Sequence, residues 1–219
     1  MTATITRHPD DSSLMSYASG GMAEPLAAVI AGHVSLCPHC RREVALMESL
    51  GGLVLADVAP ATADFAMPMP VSTTTPGVAL NAVAPAPRGL PGGLPVPLAM
   101  HYGIDLETVR WRRLGPGVWH YPLSVSAGVA GDLRLLKIAA GRKMPSHGHG
   151  GAELTLVLDG AYGDSTGIYH PGDVQDVDDD TEHRPIADAV HGCICIIASE
   201  RPARFKGFVG RLFQPWTGL

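Results

Sequence analysis

The sequence predicts an α+β chain: a small helical unit at 1–58, a Pro/Ala/Gly-rich linker at 59–99 and an all-β sandwich or barrel at 100–219. Two observations carry that division. Nine of the 19 prolines fall at 59–99, where Asp64 and Arg88 are the only charged residues, and sequence of that kind reads as connector. On either side of it the apolar pattern differs, with helical spacing before and short β-like runs after. A 58-residue unit is too small to stand easily on an apolar core alone, whereas the 120 residues at 100–219 make an ordinary small domain. The front unit therefore needs a staple or a partner.

From Asp11, DSSLMSYASGG reads as a short helix ended by Gly20 and Gly21. A second helix starts near Glu24, with Pro25 suited to its first turn, and runs through LAAVIAGHVSL. A third begins within CPHC, carries Val44, Met47 and Leu50 at three-residue spacing, and is expected to stop at Gly51 and Gly52. Between the second and third lies His33-x3-Cys37-x2-Cys40. C-x2-C lets two thiolates hold one tetrahedral ion while the chain turns into the next helix, and residues four apart at a helix end share a face. Zinc suits two thiolates and an imidazole, and a closed site supplies the folding energy that a thin core lacks. His8, ahead of the first helix on a start that can fold back, is the preferred fourth ligand; His39, inside the C-x2-C loop, is poorly placed. A thioredoxin-like reading of CPHC fails because that motif follows a strand, and helix precedes it here.

After the linker come ETVRWRRL, GVWHYPLSVS, DLRLLKIA, ELTLVLDG, GDVQDV and CICIIAS, broken by Gly, Pro and Asp. Many short strands at near-regular spacing suggest a sandwich or barrel closed to protect its edges. Within them His147 and His149, two apart on a strand, face the same way, Glu153 opens the next apolar run and His183 closes a later one. Four such ligands drawn from several strands can hold a divalent transition metal with room for water or substrate.

Gly141-x5-His147-x-His149-x3-Glu153-x6-Gly160 is similar to the first cupin motif at every spacing, and Pro171, Gly172 and Asp173 with His183 resemble the second. The resemblance implies a jelly-roll for 100–219 and a metal site on His147, His149, Glu153 and His183. Asp178, Asp179 and Asp180 replace the usual Pro-x-Gly turn and are expected to add charge beside that metal. A helical H-x3-C-x2-C module followed by a cupin resembles the ChrR family of anti-sigma factors. Further likeness lies in Tyr17-Ala18-Ser19-Gly20, Val109-Arg110-Trp111-Arg112, Cys193-Ile194-Cys195 and Phe213-Gln214-Pro215. That family holds an ECF-type sigma factor inactive and releases it under singlet oxygen or organic hydroperoxide stress. Its amino-terminal zinc ligands correspond here to His8, His33, Cys37 and Cys40, and its cupin metal is zinc. In the family a further sigma-gripping helix follows the third; here prolines at 68, 70 and 76 argue against a stable helix before a partner arrives.

Other classes fit less well. A net charge of -5, with three basic against six acidic residues at 1–58, is the wrong balance for nucleic-acid contacts. No apolar stretch follows a basic patch at the amino terminus and no charge-free apolar run is long enough to span a bilayer, so no membrane association and a cytoplasmic address are expected. A metal-dependent cupin enzyme, a dioxygenase or isomerase on a small molecule, is the alternative to the regulator, since the ligand set is complete. Against it, a zinc-helix module has no role in such catalysis and no second catalytic acid or base stands out. Cys193 and Cys195 are either buried apolar filler, the plainer account, or an oxidation-sensitive pair. Of the front unit's apolar residues Leu14, Tyr17, Leu26, Val29, Ile30, Val44, Met47 and Leu50, some are expected to face a partner.

Overall fold

A computed structural model describes residues 4–59, 93–201 and 204–205. Most of the expected linker, the proline-interrupted stretch within it and Phe213, Gln214 and Pro215 lie outside the described residues. Three helices open the chain: α1 (Asp11–Ala18), α2 (Glu24–Leu36) and α3 (Pro38–Ala56). Pro25 and Pro38 occupy first-turn positions, where the missing N–H costs nothing. Helix α3 does not stop at Gly51 and Gly52 as expected; it continues to Ala56. Two exposed glycines cost about 1 kcal/mol each relative to alanine, too little to end a helix that Leu53, Val54 and Leu55 carry on. A fourth helix, α4 (Val96–Tyr102), crosses the expected boundary between linker and β domain and packs on α2.

Among the described residues twelve strands follow: β1 (Arg112–Gly115), β2 (Val118–Pro122), β3 (Asp132–Ile138), β4 (His147–Gly148), β5 (Glu153–Gly160), β6 (Tyr162–Gly163), β7 (Ile168–Tyr169), β8 (Val174–Val177), β9 (Glu182–His183), β10 (Ile186–Ala187), β11 (Cys193–Ser199) and β12 (Arg204–Phe205). An antiparallel six-stranded sheet runs β1-β2-β3-β11-β5-β8, and two three-stranded sheets, β10-β6-β7 and β12-β4-β9, complete the described β structure. Gly160 closes the first motif at φ +68°, where a Cβ would run into the Gly192 carbonyl.

The long strands are buried on both faces, which explains why ELTLVLDG reads as almost continuously apolar. Leu133 and Leu135 of β3, Leu154 and Leu156 of β5 and Ile196 of β11 point outward into one core with Leu26, Val29 and Ile30 of α2 and Leu98 of α4. The alternate residues Leu136, Ile138, Val157, Cys193 and Cys195 point into the barrel with Tyr162 and Tyr169. The helical unit and the barrel thus share one hydrophobic core. Gly32 of α2 lies at this contact, where a Cβ would be 3.0 Å from Leu98 and 3.1 Å from Leu156.

Candidate metal centres

The fold brings His8, His33, Cys37 and Cys40 together at the junction of α2 and α3, with one donor atom of each within 4.8 Å of the others. His33 is fully buried in the last turn of α2; its Nδ1 lies 2.8 Å from the Gly172 carbonyl oxygen, which can only accept, so that nitrogen carries the proton. The unprotonated Nε2 is left facing Cys40 Sγ at 3.2 Å. His8 turns Nδ1 toward both sulfurs, 3.5 Å from Cys37 and 3.4 Å from Cys40. Burial, with the neighbouring Cys37 sulfur next, pushes the Cys40 thiol up to about 12, and burial takes His33 down to about 4. Neutral imidazole nitrogens aimed at two buried sulfurs are the donor set of a soft or borderline divalent ion, whose charge would stabilise the thiolates. His39 is exposed on α3 and outside the cluster.

Inside the barrel, His147, His149, Glu153 and His183 form a second group, all buried and again within 4.8 Å. Strands β4 and β9 pair His147 directly with His183, and Glu153 starts β5. His147 Nδ1 donates to the Pro145 carbonyl at 3.0 Å and His183 Nδ1 donates to Asp164 Oδ2 at 2.7 Å. In neutral rings the two Nε2 atoms would both carry lone pairs, and they lie 3.1 Å apart, with His149 Nε2 3.2 Å from that of His183. Lone pairs so close repel; a shared cation resolves the repulsion. His149 Nδ1 is buried, 3.2 Å from Glu153 Oε2, and makes no hydrogen bond among the described residues. Burial lowers the His147 pKa, which favours the neutral ligand form. Either group can hold a metal. A cavity of about 70 Å³ beside the barrel group is lined by Leu136, Ile138, Met144, Tyr162 and Ile197.

Asp164, which the sequence did not single out, fixes His183. Burial opposes its ionisation, but hydrogen bonds from His183, Thr166 and Gln175 outweigh that and hold its carboxyl well below the usual carboxylate range. The Gln175 amide donates to Asp164 Oδ2 at 2.8 Å and its oxygen accepts from Tyr162 Oη at 2.9 Å, so the ring orientation is locked by buried groups. Asp164→Asn is expected to weaken metal binding at this group by about 10–100-fold, read by competition with a chelator. In sequence Asp164 lies in a DSTG turn, and only the fold reveals its partner 19 residues away.

Asp178, Asp179 and Asp180, ahead of the ligand His183, occupy an exposed turn in which Asp178 Oδ1 accepts from Asp180 N and Thr181 Oγ1. Cys193 and Cys195 are buried on the barrel face of β11, and the Cys193 thiol together with burial pushes Cys195 well above its ordinary value. Burial and the raised Cys195 value both reduce thiolate character, as in a buried cysteine used for packing.

The ChrR Cupin-like domain family matches residues 100–202. Anti-sigma-E factor ChrR of Cereibacter sphaeroides is 38% identical over 213 residues, which cover 97% of this chain and 98% of that protein. The crystal structure of Rhodobacter sphaeroides SigE in complex with the anti-sigma ChrR contains a chain that aligns with TM-score 0.71 and 36% identity, covering 90% of this chain and 100% of its own length.

Proposed function

The chain belongs to the ChrR family, and from that premise we propose that it is an anti-sigma factor whose helical unit holds an ECF-type sigma factor while the cupin domain senses the releasing signal. The observation that carries the reading is an apolar stripe on α3 that the rest of the described fold leaves uncovered. Leu46, Leu50, Leu53 and Val54 recur at helical spacing and are 52–69% exposed. A monomer gains nothing from four large aliphatic side chains in water on one helix face, whereas a partner protein does. Of the eight front-unit residues expected to be divided between core and partner, Leu14, Leu26, Val29, Ile30 and Val44 are buried and Leu50 is exposed. Leu53 and Val54 had no place in that set because α3 was expected to be shorter, and Leu46, inside the expected helix, was not among its members.

His8, His33, Cys37 and Cys40 are assigned to a structural zinc that ties the chain start to the α2–α3 corner, with 1–58 as the sigma-binding unit. His147, His149, Glu153 and His183 are assigned to zinc or another divalent transition metal in the cupin of 100–219. Oxidation of a ligand thiolate, or a change at the cupin metal, is the proposed route by which singlet oxygen or an organic hydroperoxide shifts affinity for the sigma factor. A coupling of about 1–3 kcal/mol suffices for a several-fold to hundredfold change. No role for nucleic acid or membrane is proposed; among the described residues no helix is long and apolar enough to cross a membrane. The enzymatic alternative is not favoured, since the likeness to an anti-sigma factor runs through the helical unit as well as the cupin.

Co-expression with the sigma factor encoded beside it tests the reading. Expected are a stable complex, block of sigma-dependent transcription in vitro, and release on treatment with a hydroperoxide. A chain that captures no sigma factor while turning over a small metabolite would defeat the proposal.

A further inference from the structure

Seven described residues, 4–10, precede α1, and a turn of the barrel holds them. Asp173 is fully buried, and a buried carboxylate is costly unless hydrogen-bonded on all sides. Its Oδ1 accepts from Thr6 N at 2.7 Å and Arg7 N at 3.0 Å, and its Oδ2 accepts from His170 N at 2.9 Å. Val174 N donates back to the Arg7 carbonyl at 3.2 Å, and Asp10 N donates to Asp176 Oδ2 at 3.0 Å. Strand β8 is an edge of the six-stranded sheet, and the segment ahead of α1 covers that edge. His8 follows directly on the two residues that Asp173 holds.

The neighbouring Gly172 serves the other histidine. Its carbonyl accepts the His33 Nδ1 proton, and its φ of +94° leaves Ile5 the space a Cβ would take, at 2.7 Å from Ile5 Cγ1. The same turn is tied to β5, since Gly172 N donates to the Val157 carbonyl and Val157 N to that of Asp173. Two residues on from Asp173, Gln175 holds Asp164, which holds His183.

We propose that the barrel turn carrying Gly172 and Asp173 is a working part of the amino-terminal metal site: the Gly172 carbonyl fixes His33 and the Asp173 carboxylate fixes the backbone that presents His8. The cupin domain then sets the metal affinity of the helical unit, and β8 joins the turn to the residues that orient His183. This rests on the metal reading above and adds to it that the helical unit does not build its site alone. Partners that orient a ligand are commonly worth 10–100-fold in metal affinity.

Cobalt(II) alone, titrated into the full chain, separates the two sites, because only a site with thiolate ligands gives a sulfur-to-cobalt charge-transfer band; a Cys37→Ser, Cys40→Ser double variant identifies that band by removing it. Asp173→Ala is expected to weaken cobalt binding at the thiolate band tenfold or more, with Asp173→Asn between it and the parent. Cobalt uptake without thiolate character, at the barrel site, is expected to stay as in the parent, which a general loss of folding would not spare. Should Asp173→Ala fail to fold by circular dichroism, Thr6→Pro removes one of the N–H groups that Asp173 binds without touching a barrel residue, and a several-fold loss at the same band is expected. Parent-like affinity at the thiolate band in a folded Asp173→Ala or Thr6→Pro chain would overturn the proposal. Absence of a thiolate band in the parent would instead remove the metal reading on which it rests.

Discussion

Cys40→Ser should release the metal from the helical unit and abolish inhibition of the sigma factor. Cys40 is completely buried at the start of α3, with His33 Nε2 at 3.2 Å and His8 Nδ1 at 3.4 Å from its sulfur. A serine hydroxyl is shorter, harder and does not ionise at neutral pH, so it replaces neither the thiolate charge nor its affinity for zinc. Structural zinc contributes apparent binding energies of about 10–16 kcal/mol, as much as the whole folding stability of a small domain. The loss should be uneven across the molecule. Helix α2 remains anchored through Leu26, Val29 and Ile30 against Leu154, Leu156 and Ile196. Helices α1 and α3, with Leu14, Cys40 and Val44 as their buried residues, have far less to hold them. Metal analysis should find one ion fewer per chain, circular dichroism should lose part of the helical signal while the β signal persists, and transcription assays should show the sigma factor uninhibited. Full inhibition by a chain one zinc short would refute the structural role of the metal.

That uneven outcome reflects what was and was not legible in the residues. The ligand sets could be read because metal ligation imposes short, rigid spacings: H-x3-C-x2-C around one helix corner, H-x-H on one strand. Strand positions were legible as well, since short apolar runs of seven or eight residues bounded by Gly, Pro and Asp mark strands buried on both faces, as in β3, β5 and β11. The shared core was not. Outward leucines of β5 look the same in sequence whether they meet solvent-shielding loops or α2, and nothing local announces that Gly32 lies against Leu156. The partners of Asp173 and Asp164 were hidden for a different reason. Each aspartate acts through hydrogen bonds to partners that only the folded chain brings near, Thr6 lying 167 residues from Asp173. A turn aspartate is too common for its type alone to mark the role. Helix α3 was read short because glycine pairs often end helices, yet Leu53 and Val54 beyond them complete the stripe that the functional proposal needs.

Leu53→Asp should cost the complex at least a hundredfold in affinity while leaving the free protein almost unchanged. Leu53 is 68% exposed and Leu50 52% exposed, so neither contributes much to the fold; surface changes of this kind usually alter stability by no more than about 0.5 kcal/mol. Burying one leucine side chain against a partner is worth about 1.5–3 kcal/mol. An aspartate in its place loses that gain and must also shed its water without a matching donor, a further cost of several kcal/mol. About 1.4 kcal/mol is a tenfold change in Kd, so the two terms together exceed a hundredfold. Val190→Asp is the matched control: Val190 is 75% exposed, but lies in the loop between β10 and β11 rather than on the helical unit. Titration of labelled sigma factor with each variant, alongside thermal melts, separates the cases. If Leu53→Asp and Leu50→Asp bound the sigma factor as tightly as Val190→Asp, the stripe on α3 would have to face something other than the sigma factor. A selective loss ties the contact to this helix, and because the melts are unaffected, it does so without invoking the metal site some four turns away at the helix start.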